Sequence, residues 1–211
     1  MNTPIIVLGA GGHAKVCVDL LLRQGRTIIG YAGPVSSDWM EQRGIHYIGE
    51  DAQVAECDAR NVTLVNGIGM IGQDLLRSRI FNHFRSQGYT FETIIHDSAI
   101  VSSDVELEEG VHIMAGAIVQ AGSTIGVNTI INTRSSLDHD CRIGAHVHIS
   151  PGAVLCGGAV VGDSTHLGAS ATIIQNVTVG VRCVVGAGSV VLKPVADDKL
   201  VYGVPAKEAK K

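Results

Sequence analysis

The sequence predicts a small Rossmann-like parallel α/β domain over residues 1–92. A parallel β-helix of hexapeptide repeats, ending in a C-terminal tail, is expected over 93–211. Three observations carry this reading. From Ile95 through Val101, Leu107 and Ile113 to Val185 and Val191, every sixth residue is aliphatic and the register never slips. Four positions after each of these stands a side chain no larger than Val, as at Ala117, Ser135, Cys141, Ala153, Ala171 and Ser189. Ahead of this run, short apolar stretches alternate with amphipathic ones.

A period of six is neither helical nor a simple strand alternation. It is the period of a β-helix, in which three short strands close one triangular coil of about eighteen residues. The aliphatic side chain points into the prism and the small one fits a tight inner position. Gly often follows the aliphatic position, as at Gly126, Gly144, Gly162, Gly168, Gly180 and Gly186, and is expected there to turn the corner.

Composition agrees. Aromatics make up only 4% and Gly is 26 of 211 residues, which suits a core of stacked aliphatic and small side chains. A net charge of −4 implies no general affinity for nucleic acid. Cys17, Cys57, Cys141, Cys156 and Cys183 form no CxxC pair and read as buried, reduced thiols. The first apolar run meets a Gly-rich turn rather than a signal cleavage site, and no stretch reaches membrane-spanning length. A cytoplasmic protein without membrane insertion is expected.

In chain order, Pro4 to Leu8 reads as a buried parallel strand. Gly9-Ala10-Gly11-Gly12-His13-Ala14-Lys15 follows, then a helix over Val16 to Leu22 with apolar Val16, Leu20 and Leu21. Thr27 to Tyr31 is a second strand. Short helices are expected over Asp38 to Arg43 and Asp51 to Glu56. Val62 to Val65 is a third strand, running into Asn66-Gly67-Ile68-Gly69. A helix over Asp74 to Gln87 places Leu76, Ile80 and Phe84 on one face. A last strand, Tyr89 to Ile95, leads into the hexads. Strands alternating with helices give a parallel α/β domain.

Gly9-x-Gly11-x-x-Ala14 lies between a strand and a helix, where backbone N–H groups and the helix dipole can meet a phosphate. A dinucleotide reader also needs an acidic residue at the end of the second strand. Here Tyr31-Ala32-Gly33 offers none, so a phosphate or nucleotide-sugar site fits better than NAD. His13 and Lys15 would give it donors and charge, or are simply residues of a solvated first helical turn.

On the β-helix, His139-Asp140 falls two and three residues after inward Leu137, near a corner. A His beside a carboxylate has what a general base needs. His148 and His166 stand one coil apart in one column, with His112 two coils below His148. Gly157 lies one coil above His139, where backbone N–H can approach an oxyanion. Two other readings stay open: a ladder of solvated histidines, or a three-histidine zinc site from His148, His166 and either His139 or His146.

Four stretches in this order resemble the NeuD/PglD family of hexapeptide sugar acyltransferases along essentially the whole chain. They are Gly9 to Lys15, Ile95-His96-Asp97-Ser98-Ala99, His139-Asp140-Cys141-x-Ile143-Gly144, and Tyr202-Gly203-Val204-Pro205-Ala206-Lys207. The resemblance implies a left-handed β-helix homotrimer that uses acetyl-CoA as co-substrate, with no metal. The PglD branch implies N-acetylation of the 4-amino group of a UDP- or GDP-linked 4-amino-4,6-dideoxy sugar for bacterial surface glycans. The NeuD branch implies O-acetylation of sialic acid. Carried over by position, His139 is the base and Asp140 its carboxylate neighbour. His148 and Gly157 match contacts to the thioester, and Ala169 and Ala187 match contacts to the pantetheine arm. Gly11, Gly12, His13, Ala14, Lys15 and Gly67 match the nucleotide-sugar loops. Tyr31-Ala32-Gly33 departs from the paired Asp of PglD-like chains, which leaves a guanosine-linked sugar such as GDP-perosamine open.

Overall fold

The computed structural model describes residues 3–72 and 74–209. The chain divides into two compact units, Met1–Gly69 with Leu76–Ile94, and Met70–Leu75 with Ile95–Lys211. The short segment Met70–Leu75 thus groups with the hexads although it precedes them in sequence.

The first unit is a four-stranded parallel sheet: β1 (Ile5–Leu8), β2 (Ile28–Ala32), β3 (Tyr47–Gly49) and β4 (Thr63–Asn66), in the order β3-β2-β1-β4. Central β1 is buried along its whole length, as its unbroken apolar run requires. The polar, mixed stretch before Gly49 gives no strand signal in sequence, and β3 forms as an edge beside β2. Helix α1 (Gly12–Arg23) begins directly at the glycine loop, four residues earlier than its apolar pattern implies. It turns Ala14, Cys17, Val18, Leu20 and Leu21 inward and leaves Val16 exposed. Helices α2 (Asp38–Glu41) and α3 (Asp51–Val54) are single turns.

Helix α4 (Leu76–Ser86) buries Arg77, Phe81 and Phe84 rather than the expected face of Leu76, Ile80 and Phe84; Leu76 is 40% exposed. The reason is the polar anchor at Arg77. Its guanidinium Nη1 donates to the carbonyls of Asn66 (2.5 Å) and Ile68 (2.6 Å), while Asn66 Nδ2 donates to the Arg77 carbonyl (3.0 Å). After α4, the expected strand from Tyr89 reduces to a single bridge between Phe91 and Leu64 and a pair of extended residues at Ile94–Ile95.

The second unit is a left-handed parallel β-helix. Its strands through Val190–Val191 are two residues long and pair in register with the strand eighteen residues away, as His148–Ile149 does with His166–Leu167. Three sheets form the prism faces. Inward ladders fill them: Ile113, Ile131, Ile149, Leu167 and Val185 on one, Val119, Leu137, Leu155, Ile173 and Val191 on another, Ile125, Ile143, Val161 and Val179 on the third. Small residues such as Ala117, Cys141 and Ala171 complete the core.

The corners depart from expectation. The residue with positive φ stands three positions after the aliphatic one. It is Gly at 110, 116, 122, 152, 158 and 188, but Asn128, Arg134, Asp140, His146, Ser164, Ser170, Asn176 or Arg182 elsewhere. The glycines directly after the aliphatic position do different work. A Cβ on Gly126 would meet the Gly144 carbonyl carbon at 2.6 Å, and one on Gly162 would meet that of Gly180 at 2.7 Å. These glycines let one coil lie against the next; they do not make the turn.

Candidate active site

In the second unit the corner after Leu137 carries the best-formed chemical group. Asp140 sits in the left-handed region, φ 59°, a conformation that Asp and Asn tolerate better than most residues. There its Oδ2 meets His139 Nδ1 at 2.8 Å. The carboxylate accepts from Nδ1–H, which leaves Nε2 as the basic atom. Asp138 Oδ1 accepts the His139 backbone N–H (2.8 Å). The Asp140 hydrogen bond, with the Asp138 charge behind it, holds the imidazole above the ordinary histidine range. Both side chains are open to solvent, 63% and 71% exposed, so the base can meet a reactant.

Gly157 stands against this ring. A Cβ there would lie 2.6 Å from both Cε1 and Nε2 of His139. The structure therefore brings His139, Asp140 and Gly157 together. Cys141, next in sequence, is wholly buried, with its thiol pushed up to about 11 by burial.

Ala169 and Ala187 are exposed and lie in register one coil apart. They occupy the corner that follows His166–Leu167 and Val184–Val185, whereas His139 and Gly157 occupy the corner that follows Ser136–Leu137 and Val154–Leu155. The two groups are on different corners of one prism.

His148 is held as a structural clasp. Its Nδ1 faces the Met70 carbonyl at 2.7 Å and its Nε2 faces Asn132 Nδ2 at 3.0 Å. A carbonyl only accepts, so Nδ1 carries the proton and Nε2 accepts. His166 stacks on His148 with centroids 5.2 Å apart. It takes the Gly72 N–H on Nδ1 (2.9 Å) and faces Ser150 Oγ with Nε2 (2.8 Å); burial lowers its pKa. All four ring nitrogens are engaged by protein groups, so the three-histidine zinc reading loses His148 and His166 as ligands. The ties to Met70 and Gly72 were invisible in sequence, because nothing local marks which distant backbone a histidine will meet.

In the first unit, Gly11 caps α1 and Gly12 opens it. A Cβ on either would meet nothing within 4 Å, so folding does not demand glycine there, and the bare backbone leaves the start of the helix open to close approach. Lys15 is exposed and His13 half-buried, with its Nε2 3.6 Å from Cys17 Sγ. At two expected contacts the structure narrows what the residue can offer. Ala14 is fully buried, so its side chain cannot touch a ligand and only its backbone N–H could. Gly67 is a packing glycine: a Cβ would lie 2.7 Å from Ala14 Cβ and from the Leu8 carbonyl oxygen, and its N–H donates to Val65.

A cavity of about 660 Å³ opens at the carboxyl ends of β1, β2 and β3, beside Gly9, Gly33 and Gly49. In a parallel sheet this is where ligands bind. Among the described residues, no helix is long and apolar enough to cross a membrane.

Known proteins agree with this anatomy. The PglD N-terminal domain family matches residues 4–84. The structure resembles a mutant of perosamine N-acetyltransferase from Caulobacter crescentus in complex with CoA and GDP-perosamine, at 36% identity and TM-score 0.90, covering 99% of this chain and 97% of that one. It resembles the acetyltransferase domain of PglB from Neisseria gonorrhoeae FA1090 in complex with acetyl coenzyme A, at 32% identity and TM-score 0.90, covering 99% and 100%. WeeI from Acinetobacter baumannii AYE, 22% identical with TM-score 0.86 over 98% and 100%, shares the fold. No curated protein sequence matches the chain. A glycine-loop α/β unit, a hexapeptide β-helix with a His–Asp corner, and identity above 30% over 97% or more of the solved chains place the chain in the PglD-like family of hexapeptide sugar acetyltransferases.

Proposed function

We propose that the protein transfers acetyl from acetyl-CoA to the 4-amino group of a nucleotide-linked 4-amino-4,6-dideoxy sugar, with His139 as general base. The observation that carries this is the His139–Asp140 pair at 2.8 Å, solvent-open, with its Nε2 edge against Gly157. The relatives bound to CoA with GDP-perosamine and to acetyl coenzyme A support the same two substrates.

The neutral sugar amine attacks the thioester carbon, so an N–C bond forms and the C–S electrons leave with sulfur. His139 Nε2 takes the amine proton. Asp140 stabilises the imidazolium through Nδ1–H, and the proton is returned to the departing thiolate. Backbone N–H at Gly157 would receive the oxyanion. No acyl-enzyme is required, because an amine is nucleophilic without help.

His13, Lys15 and the N–H groups at Gly11 and Gly12 would hold the nucleotide-sugar phosphates. Ala169 and Ala187 would line the pantetheine arm. A homotrimer suits their placement, since a single prism keeps that corner apart from His139, and packing of neighbouring subunits can join the two. The cytoplasm, where acetyl-CoA and nucleotide sugars are made, is the expected location.

The test is thiol release from acetyl-CoA with GDP- and UDP-linked 4-amino-4,6-dideoxy sugars beside sialic acid. Turnover with an amino sugar supports the reading, and turnover with sialic acid alone replaces it with O-acetylation.

A further inference from the structure

We propose that the cavity of the first unit selects guanine and that Asp51 is the carboxylate that reads it, an assignment resting on the nucleotide-sugar acceptor proposed above. The cavity, about 660 Å³, is of the size that takes a small-molecule ring system. Its walls include Tyr47 and Leu76, large apolar side chains that are 37% and 40% exposed in the protein alone. A flat base lodged in the cavity would cover such apolar surface.

Most polar groups around this cavity already have partners. Tyr47 Oη donates to the Gly33 carbonyl at 2.7 Å. Glu50 and Gln53 form a reciprocal capping box, with the Glu50 N–H donating to Gln53 Oε1 at 2.9 Å. Asp51 also lines the cavity and is half-buried. Among the described residues its carboxylate has no hydrogen-bond or ion-pair partner. No Lys, Arg or His stands among the described lining residues.

A lone carboxylate is an acceptor with two parallel oxygens. Guanine alone among the common bases presents two adjacent donors, N1–H and the 2-amino group, to which a carboxylate binds in bidentate fashion. Uracil presents one N–H between two carbonyl oxygens, and both would face the negative charge. Adenine and cytosine each set an acceptor nitrogen beside their amino group. The second strand ends in Tyr31-Ala32-Gly33 without an acid; the acid comes instead from the start of α3.

Titration calorimetry of the intact protein with GDP, UDP and ADP, for wild type and Asp51→Asn, tests this. A good bidentate contact is worth about tenfold to a hundredfold in discrimination, so GDP is expected to bind at least about tenfold more tightly than UDP. Asp51→Asn is expected to bring GDP down to the UDP level, to leave UDP binding equal or tighter because the charge facing its carbonyl oxygens is gone, and to leave the circular dichroism spectrum unaltered. Equal or tighter binding of UDP or ADP by wild type, or a GDP preference that survives Asp51→Asn, overturns the assignment. A GDP preference that depends on Asp51, with no acetyl transfer to any GDP-linked amino sugar, supports the base reading and overturns the acceptor reading instead.

Discussion

The edge of the His139 imidazole occupies space that only a glycine at position 157 leaves, since a Cβ there would stand 2.6 Å from its Cε1 and Nε2. Gly157→Ala should therefore turn the ring away from its present position while the coil stays folded. A displacement near 1 Å can cost about 10²-fold in rate. Steady-state kinetics should show kcat falling by that order with little change in melting temperature. An unchanged kcat would mean that Nε2 does not act from this position.

His139→Ala removes the base outright. General-base catalysis contributes roughly 10²–10⁴-fold, and kcat should fall within that range while acetyl-CoA binding, read by calorimetry, persists. A rate near wild type would assign the proton transfer elsewhere.

Asp140→Asn keeps side-chain shape and tolerance of the left-handed backbone at φ 59°, so it isolates the charge. His139 must be neutral to accept the amine proton. Asp140, then Asp138, raise its pKa, so the rate of wild type should rise with pH through a midpoint above 6.5, the usual histidine value. Loss of the Asp140 carboxylate lowers that pKa. The acidic limb of kcat/KM should then move to lower pH while the plateau drops. A limb that stays in place would show that it reports another group.

Much of the β-helix was legible because one rule repeats: Ile149, Leu167 and Val185 obey the same six-residue period and stack as that period demands. The His139–Asp140 pair was legible for a local reason, since adjacent residues at a corner must be near each other. What the sequence does not display depends on distant partners. Arg77 reads as a polar residue on a helix, yet it is buried because the Asn66 and Ile68 carbonyls wait for it. Gly126 and Gly162 look like turn residues, and only the coil eighteen residues on reveals them as spacers. Ala14 and Gly67 look like members of a ligand loop, and only the folded chain shows that they also pack against each other.

That spacer role can be measured. Gly162→Ala would set a Cβ 2.7 Å from the Gly180 carbonyl carbon and the Val181 nitrogen, backbone atoms that have no rotamer to change. Overpacking of this kind costs about 1–3 kcal/mol. Urea denaturation should show a loss of that size, and a neutral result would mean that the coils separate more easily than their hydrogen bonds suggest.

The buried thiol makes a sharper chemical distinction. Cys141 sits next to Asp140 in sequence and invites a role as acetyl carrier. Its side chain points into the prism, and burial pushes its pKa up to about 11, so the nucleophilic thiolate is scarce at neutral pH. Cys141→Ala puts at this position the residue that fills the equivalent site at Ala159 one coil on. The variant should transfer acetyl at close to the wild-type rate, and mass spectrometry of wild type incubated with acetyl-CoA alone should find no acetylated Cys141. An acetyl adduct there that chases into product would replace direct transfer with a two-step route.

The two histidine environments predict opposite titrations. His139 is solvent-open and raised by carboxylates, whereas His166 is lowered by burial, and its Nδ1 accepts the Gly72 N–H. Protonating His166 would put a proton where that N–H now points, and a charge 5.2 Å from the His148 ring. A histidine whose folded pKa is depressed takes up its proton more readily when unfolded, so its contribution to stability diminishes as pH falls below 6.5. Ring-nitrogen NMR should find His139 titrating above 6.5 and His166 below it, with the Gly72 amide shift following His166. His166→Gln should abolish the Gly72 response and leave the His139 titration in place. Were His166 to titrate above His139, the neutral clasp that holds Met70 and Gly72 would be wrong, whereas the His139–Asp140 base would still stand on its own geometry.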